Sequence, residues 1–217
     1  FQAKVESRKN RPRGMAYFDR VIHAAHGDRV AELVKGRAEG RKIVGTFCIY
    51  VPEEICLALD LVPLPLCGGT DFSVPYAENI FPRDICPLVK STLGLAFSKT
   101  CPYAPIKSLA VGETTCDAKK KTWEILSERV PFQVMEVPNK KNARTGALWL
   151  AEVREFLARM EEVAERTVSA DRLKSAIRLM NPQRAALQEF ARLRAAERPP
   201  ISGLDALVVY QGMLNDE

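Results

Sequence analysis

The chain has 217 residues, of which 47% are hydrophobic and 27% are charged, so a packed core is expected and general disorder is excluded. No apolar run approaches the roughly 18 residues that a membrane span needs, and no signal-peptide pattern is visible. We therefore expect a cytoplasmic protein with no membrane partner. Because the chain starts at Phe1 and not at Met, we interpret it as part of a longer protein.

Residues 1–42 predict a helical lead-in, with helices over 15–25 and 28–39, because apolar residues recur there on one face. This lead-in holds 11 Lys and Arg against 5 Asp and Glu, so its basic excess is larger than the net charge of +5 of the whole chain. Aromatic residues do not interleave with these charges, so we predict a solvated basic segment and no nucleic-acid partner.

Residues 43–142 predict an α/β domain, because short apolar segments alternate with helical ones. Such alternation is typical of a Rossmann-like parallel sheet flanked by helices with right-handed crossovers. Pro63 and Pro65 favour an edge position for the second strand. The predicted strands are 42–48, 61–66, 106–111 and 132–137.

Residues 143–217 predict a helical segment that leads towards a missing second half. The first helix carries Trp149, Phe156 and Met160 at helical spacing, and Ser169 is expected to cap the next one. Pro182 predicts either a kink or two abutting helices. A last helix, capped near Ser202, is expected to run to the end of the chain.

Six cysteines occur without a C-x-x-C pair, so a zinc ribbon or finger is not indicated. Cys48, Cys67 and Cys116 follow predicted strands, and Cys86 opens the helix between the second and third strands. Because ligands bind beyond the carboxyl ends of parallel strands, these four sulfurs are expected at the functional edge of the sheet. Cys56 falls within a helix and is interpreted as core packing.

Cys86 and Cys116 each precede a predicted helix, where backbone N–H groups favour a thiolate. A reactive or metal-binding thiol and an ordinary helix-start residue both stay open on this observation. Lys119, Lys120 and Lys121 also allow a weak anion site, although the Gly-x-x-x-x-Gly-Lys pattern is absent. A cysteine hydrolase is disfavoured, since both histidines lie in the lead-in.

Three motifs together carry a family resemblance: GTFCIYVPEEI at 45–55, CPLVKS at 86–91 and VGETTCDAKKK at 111–121. They resemble the 2-hydroxyacyl-CoA dehydratase and benzoyl-CoA reductase family. The third motif is most similar to the double-cubane cluster proteins of that family. The resemblance extends from about Arg41 to Gly212, and it implies that this chain is the first half of a two-domain protein.

The resemblance implies an iron–sulfur cluster, 4Fe-4S or double-cubane, with Cys86 and Cys116 as ligands. It also implies that a cysteine outside this chain completes the cluster, so we do not expect this chain alone to be active. Further implications are an ATP-dependent iron–sulfur activator protein, an anaerobic setting, and a homodimer or a paired subunit.

Two activities and one structural role follow as alternatives. The Cys116 motif favours a low-potential reductase of small unsaturated molecules. The dehydratase members instead reduce a CoA thioester to a ketyl radical and then eliminate water. A cluster-free structural α/β fragment is the third alternative.

Three further residues are candidates for supporting roles near such a cluster. Glu54, at a helix start on the functional edge, is a candidate proton carrier, although a simple helix-start charge explains it as well. Lys90 and Ser91 lie one turn beyond Cys86 and are candidates to hydrogen-bond cluster sulfide or a bound anion.

Overall fold

The computed structural model describes residues 2–215, and it contains a four-stranded parallel sheet in the order β2-β1-β3-β4. The strands are β1 Ile43–Thr46, β2 Val62–Pro65, β3 Leu109–Glu113 and β4 Phe132–Met135. The helices are α1 Gln2–Glu6, α2 Met15–Ala24, α3 Asp28–Ala38, α4 Glu53–Ala58, α5 Val74–Ala77, α6 Pro87–Phe97, α7 Asp117–Ser127, α8 Ala143–Ala164, α9 Ala170–Arg194 and α10 Gly203–Asn215. The predicted α/β class and the edge position of β2 are therefore confirmed.

The third strand begins later than the sequence predicts. Ile106 is apolar and buried, but its N–H bonds to the Tyr103 carbonyl at 3.2 Å, which places it in a turn. The ladder starts at Leu109 and continues to Glu113. The prediction of a strand over 106–111 was therefore wrong in its bounds, because a local turn took the backbone hydrogen bonds.

The chain divides into two compact units: residues up to Leu33 together with those from Ile177 onward, and Val34–Ala176. Within the second unit, α8 covers one side of the sheet. Its Phe156 and Met160 are fully buried, and they belong to the same apolar cluster as the strand residue Val44. The predicted apolar face of this helix is confirmed.

An aromatic cluster lies against β3 within the same unit. The ring centroids of Phe47 and Trp123 are 4.6 Å apart, and those of Trp123 and Phe132 are 5.2 Å apart. A Cβ on Gly112 would stand 2.6 Å from the Trp123 ring, so only glycine lets the indole approach the strand. The Trp123 Nε1–H donates to the Glu113 carbonyl at 2.8 Å, which fixes α7 on the sheet.

The other unit has its own apolar cluster, which includes Val5, Met15 and Val208. Ser202 caps α10 as expected, since its Oγ accepts the Asp205 N–H at 3.0 Å; the predicted course of this helix after Asn215 lies outside the described residues. The α9 helix runs unbroken through Pro182, which excludes the alternative of two abutting helices. Among the described residues, no helix is long and apolar enough to cross a membrane.

Candidate functional site

Two exposed thiols stand at helix starts, as the sequence predicts. Cys86 is the N-cap of α6, and Cys116 is the N-cap of α7. The two helices pack against each other. Crossover helices run opposite to the strands of a parallel sheet, so both N-termini belong to the carboxyl edge. The predicted position of both thiols at helix starts is confirmed, while their role as metal ligands stays a prediction.

A solvent-open pocket of about 280 Å³ lies between these two helices and the ends of β1 and β2. Cys48 and Cys67 line it together, although they are distant along the chain. Leu88 and Val89 of α6 and Lys119 of α7 also line it. The pocket therefore contains two of the four sulfurs that we expect at this edge.

Cys48 and Cys67 line the same pocket and are close enough to shift each other's pKa. Stabilisation of a Cys67 thiolate by the Cys48 side chain and backbone outweighs burial and lowers the pKa of Cys67 to about 6. The interaction with Cys67, together with burial, raises the pKa of Cys48 above its ordinary value. At neutral pH the pair therefore carries one negative charge, and this charge resides on Cys67.

A buried ion pair lies directly behind Cys48. The Lys119 Nζ donates to the Cys48 Sγ at 2.5 Å and to the Glu113 Oε1 at 2.5 Å. The Glu113 side chain is fully buried, and the Lys119 side chain is 14% exposed. Burial alone would lower the pKa of Lys119, but the hydrogen bonds to Cys48 and Glu113 outweigh it and raise the pKa. Lys119 is therefore held as an ammonium.

Sequence reasoning missed Glu113 as a site residue. The signal was available, because a glutamate ends an otherwise apolar strand and so must be paired. Thr115 donates to its Oε1 at 3.1 Å. Within the described part of the chain, the other carboxylate oxygen, Oε2, is buried without a hydrogen-bond partner.

Lys90 and Ser91 are both buried and hold the polypeptide around α6. The Lys90 Nζ donates to the Glu78 carboxylate at 2.7 Å and to the Arg83 carbonyl at 2.6 Å. The Ser91 Oγ accepts the Thr70 N–H at 3.0 Å and donates to the Thr70 carbonyl at 2.9 Å. Their predicted contacts with a cluster stay predictions, because all of these hydrogen bonds are made with protein groups.

The other candidates differ in exposure. Glu54 is half-buried in the first turn of α4, and its proposed proton transfer stays a prediction. Cys56 is fully buried in the apolar cluster of the sheet, as expected, and burial raises its pKa to about 12. Within residues 2–215, no three His, Cys, Asp or Glu side chains are arranged to hold a metal ion.

Comparison with known proteins gives consistent matches across most of the chain. The sequence matches the family model described as 2-hydroxyglutaryl-CoA dehydratase, D-component, over residues 48–216. It is 40% identical to a putative dehydratase subunit, YjiM, of Escherichia coli (strain K12), over 81% of this chain and 46% of that relative. It is also 25% identical to a benzoyl-CoA reductase subunit of Thauera aromatica, over 80% of this chain and 46% of that relative.

A third relative is the beta subunit of (R)-2-hydroxyglutaryl-CoA dehydratase from Acidaminococcus fermentans, with 23% identity over 78% of this chain and 45% of the relative. All three relatives are named as subunits. The chain spans about half the length of each of them. The resemblance of the three motifs to the 2-hydroxyacyl-CoA dehydratase and benzoyl-CoA reductase family is confirmed.

Proposed function

The chain belongs to the 2-hydroxyglutaryl-CoA dehydratase D-component family, and on that premise we propose that Cys86 and Cys116 are two ligands of an iron–sulfur cluster. The observation that carries the proposal is the placement of both exposed thiols at the N-termini of packed helices. Backbone N–H groups there stabilise the thiolates that iron–sulfur clusters require. The donor chemistry of the site therefore fits such a cluster.

Two cysteines do not complete a cluster, so at least one further ligand comes from another domain or subunit. The names of the relatives support a paired subunit. When bound, the cluster supplies low-potential electrons, delivered by an ATP-dependent activator protein. The residues of this chain hold the cluster by two thiolates and place a charged group, Lys119, beside the neighbouring pocket.

We propose a double-cubane type reductase of small unsaturated molecules as the activity of the complete protein. The supporting feature is the similarity of the 111–121 motif to double-cubane proteins. A 2-hydroxyacyl-CoA dehydratase is the second candidate, favoured by relatives named as dehydratase subunits. Tight binding of a CoA thioester, together with dehydration, would select the second candidate. Reduction of small unsaturated substrates without CoA affinity would select the first.

Anaerobic determination of iron and acid-labile sulfide in the complete protein tests the ligand assignment. Cys86→Ser and Cys116→Ser should each lower the iron content substantially. Cys101→Ser, which replaces a half-buried cysteine, is the control and should not lower it. Serine is a favourable N-cap residue, so both variants should keep their helices, which circular dichroism checks. A metal-free product after reconstitution, or iron retained in both variants, would overturn the proposal.

A further inference from the structure

The strand register sets Cys48 and Cys67 side by side. β1 and β2 are parallel, with Thr46 opposite Pro65, and the Leu66 N–H donates to the Thr46 carbonyl at 2.9 Å beyond the last pair. Two residues further along each strand are Cys48 and Cys67. Neighbouring strands lie about 4.8 Å apart, which is within the Cα separation of about 4.4–6.8 Å that a disulfide needs.

The backbone at Cys48 is held in a conformation that L-residues rarely adopt. Its φ is +58°, in the left-handed region, which is unfavourable for a residue with a side chain. Such strain is characteristic of functional positions, where surrounding contacts hold it in place. The sulfur of this strained residue contacts Lys119 and lies beside Cys67, so the strained position carries the thiol at the centre of the group.

The two thiols have different environments. Cys67 is exposed, and its neighbour Cys48 lowers its pKa, so Cys67 is the group that carries the negative charge and meets solvent. Cys48 is half-buried behind it, with the Lys119 ammonium 2.5 Å from its sulfur. An exposed thiolate beside a second thiol is the arrangement that thiol–disulfide exchange uses.

We propose that Cys48 and Cys67 form a reversible dithiol–disulfide site, whose oxidant is a small thiol disulfide such as glutathione disulfide. This site goes beyond the proposed function, because neither cysteine is among the proposed cluster ligands. It is also a modification site, since its first product is a mixed disulfide on Cys67.

The exchange proceeds in two balanced steps. The Cys67 thiolate attacks one sulfur of glutathione disulfide, forms a mixed disulfide and releases one glutathione thiolate. Cys48 then loses its proton to solvent, attacks the Cys67 sulfur and releases a second glutathione thiolate. The two protein thiols lose two electrons, and the oxidant gains them as two glutathione molecules once protons are taken up.

Lys119 assists the second step. While Cys67 is a thiolate, its closeness and its negative charge keep the proton on Cys48. The mixed disulfide removes that charge, and the Lys119 ammonium then stabilises Cys48 as a thiolate. The order of attack, Cys67 first and Cys48 second, thus follows from the contacts of each sulfur.

The test equilibrates the purified complete protein under nitrogen in buffers of reduced and oxidised glutathione, followed by acid quenching and alkylation. Digestion with trypsin and a glutamate-specific protease cuts at Glu53 and Glu54, between the two cysteines, so mass spectrometry can detect the Cys48–Cys67 link. Reduced glutathione in excess should reverse it. Absence of this link across all buffers, or a link in which Cys67 pairs with another cysteine, would overturn the proposal.

Single variants test the assigned order. In Cys48→Ser, Cys67 should accumulate as a stable mixed disulfide with glutathione, while in Cys67→Ser, Cys48 should stay unmodified. Cys101→Ser is the matched control and should form the link as the wild type does. The opposite pattern, with Cys48 trapped in the Cys67→Ser variant, would refute Cys67 as the attacking thiolate.

The rate of the first step gives a second readout. A thiol with a pKa of about 6 has far more thiolate than one at 9.0, but each thiolate is less nucleophilic. The comparison uses a Brønsted coefficient of about 0.45 and the protein that retains Cys48. Cys67 should then react roughly fourfold faster than a thiol of ordinary pKa at pH 7, and about twentyfold faster at pH 6. Equal rates for Cys67 and Cys101 at pH 6 would contradict the assigned reactivity.

Discussion

The Glu113–Lys119 ion pair allows a quantitative prediction about stability. Lys119→Met leaves the Glu113 carboxylate fully buried, with Thr115 as its one remaining partner among the described residues. Removing one member of a buried pair costs about 3–5 kcal/mol, because the remaining charge is desolvated and unpaired. Glu113→Gln should cost less, about 1–2 kcal/mol, because Lys119 keeps its hydrogen bonds to Cys48 and Thr115 and its ammonium group is partly hydrated.

The double variant distinguishes the pair from two independent effects. In the double variant, Lys119→Met with Glu113→Gln, neither charge is present, and we expect the free energy of unfolding to fall by about 2–3 kcal/mol. This loss is below the sum of the two single losses, and the difference gives a coupling energy of about 2–4 kcal/mol. Urea unfolding followed by circular dichroism measures all three variants. Lys121→Met is the matched control, because its pair with Glu124 is exposed and should change stability by less than about 0.5 kcal/mol. Additive costs, or equal effects of Lys119→Met and Lys121→Met, would refute this reasoning.

Three further predictions concern packing, thiol reactivity and pH. Gly94→Ala places a Cβ 1.9 Å from the Ser73 carbonyl oxygen and should lower the urea midpoint strongly. Gly69→Ala should not, because no described residue other than its two chain neighbours has an atom within 4 Å of the new Cβ, and equal midpoints would contradict the packing. In the folded protein freed of iron, iodoacetamide should label exposed Cys86 but not Cys56, whose pKa is about 12, and labelling of both would count against the core assignment. Burial alone would raise the pKa of Asp205, but Ser202, Arg11 and Arg8 lower it below 3.8. The stability that the ionised Asp205 gives the fold is therefore complete above about pH 4 and is lost as the pH falls through the folded-state pKa. The stability difference between wild type and Asp205→Asn should accordingly shrink in acid, and a difference independent of pH would exclude this linkage.

The sequence was sufficient for features that depend on local rules. Proline after Cys86 and an acidic residue after Cys116 mark helix starts, and the structure has both cysteines as N-caps. The prolines of β2 likewise placed it at the edge. These features depend on a few neighbouring residues, so a single sequence contains enough information to predict them.

The contact between Cys48 and Cys67 required information that is not local. It depends on the register of two strands and on the left-handed backbone at Cys48, neither of which a pattern of apolar residues specifies. The pairing of Glu113 with Lys119, and not with Lys120 or Lys121, also depends on information that is not local. Only the packing of α7, fixed by Trp123 against β3, decides which lysine faces Glu113.

The helix that presents Cys86 also fixes the segment that follows Cys67. A Cβ on Gly68 would stand 2.7 Å from the Thr92 backbone nitrogen, so only glycine lets this segment lie against α6. The Gly68 N–H donates to the Thr92 Oγ1 at 2.8 Å, and Ser91 holds the next turn. A proposed cluster ligand and a proposed redox thiol are therefore positioned by one rigid element, so a displacement of α6 at Cys86 would also move the backbone that holds Cys67.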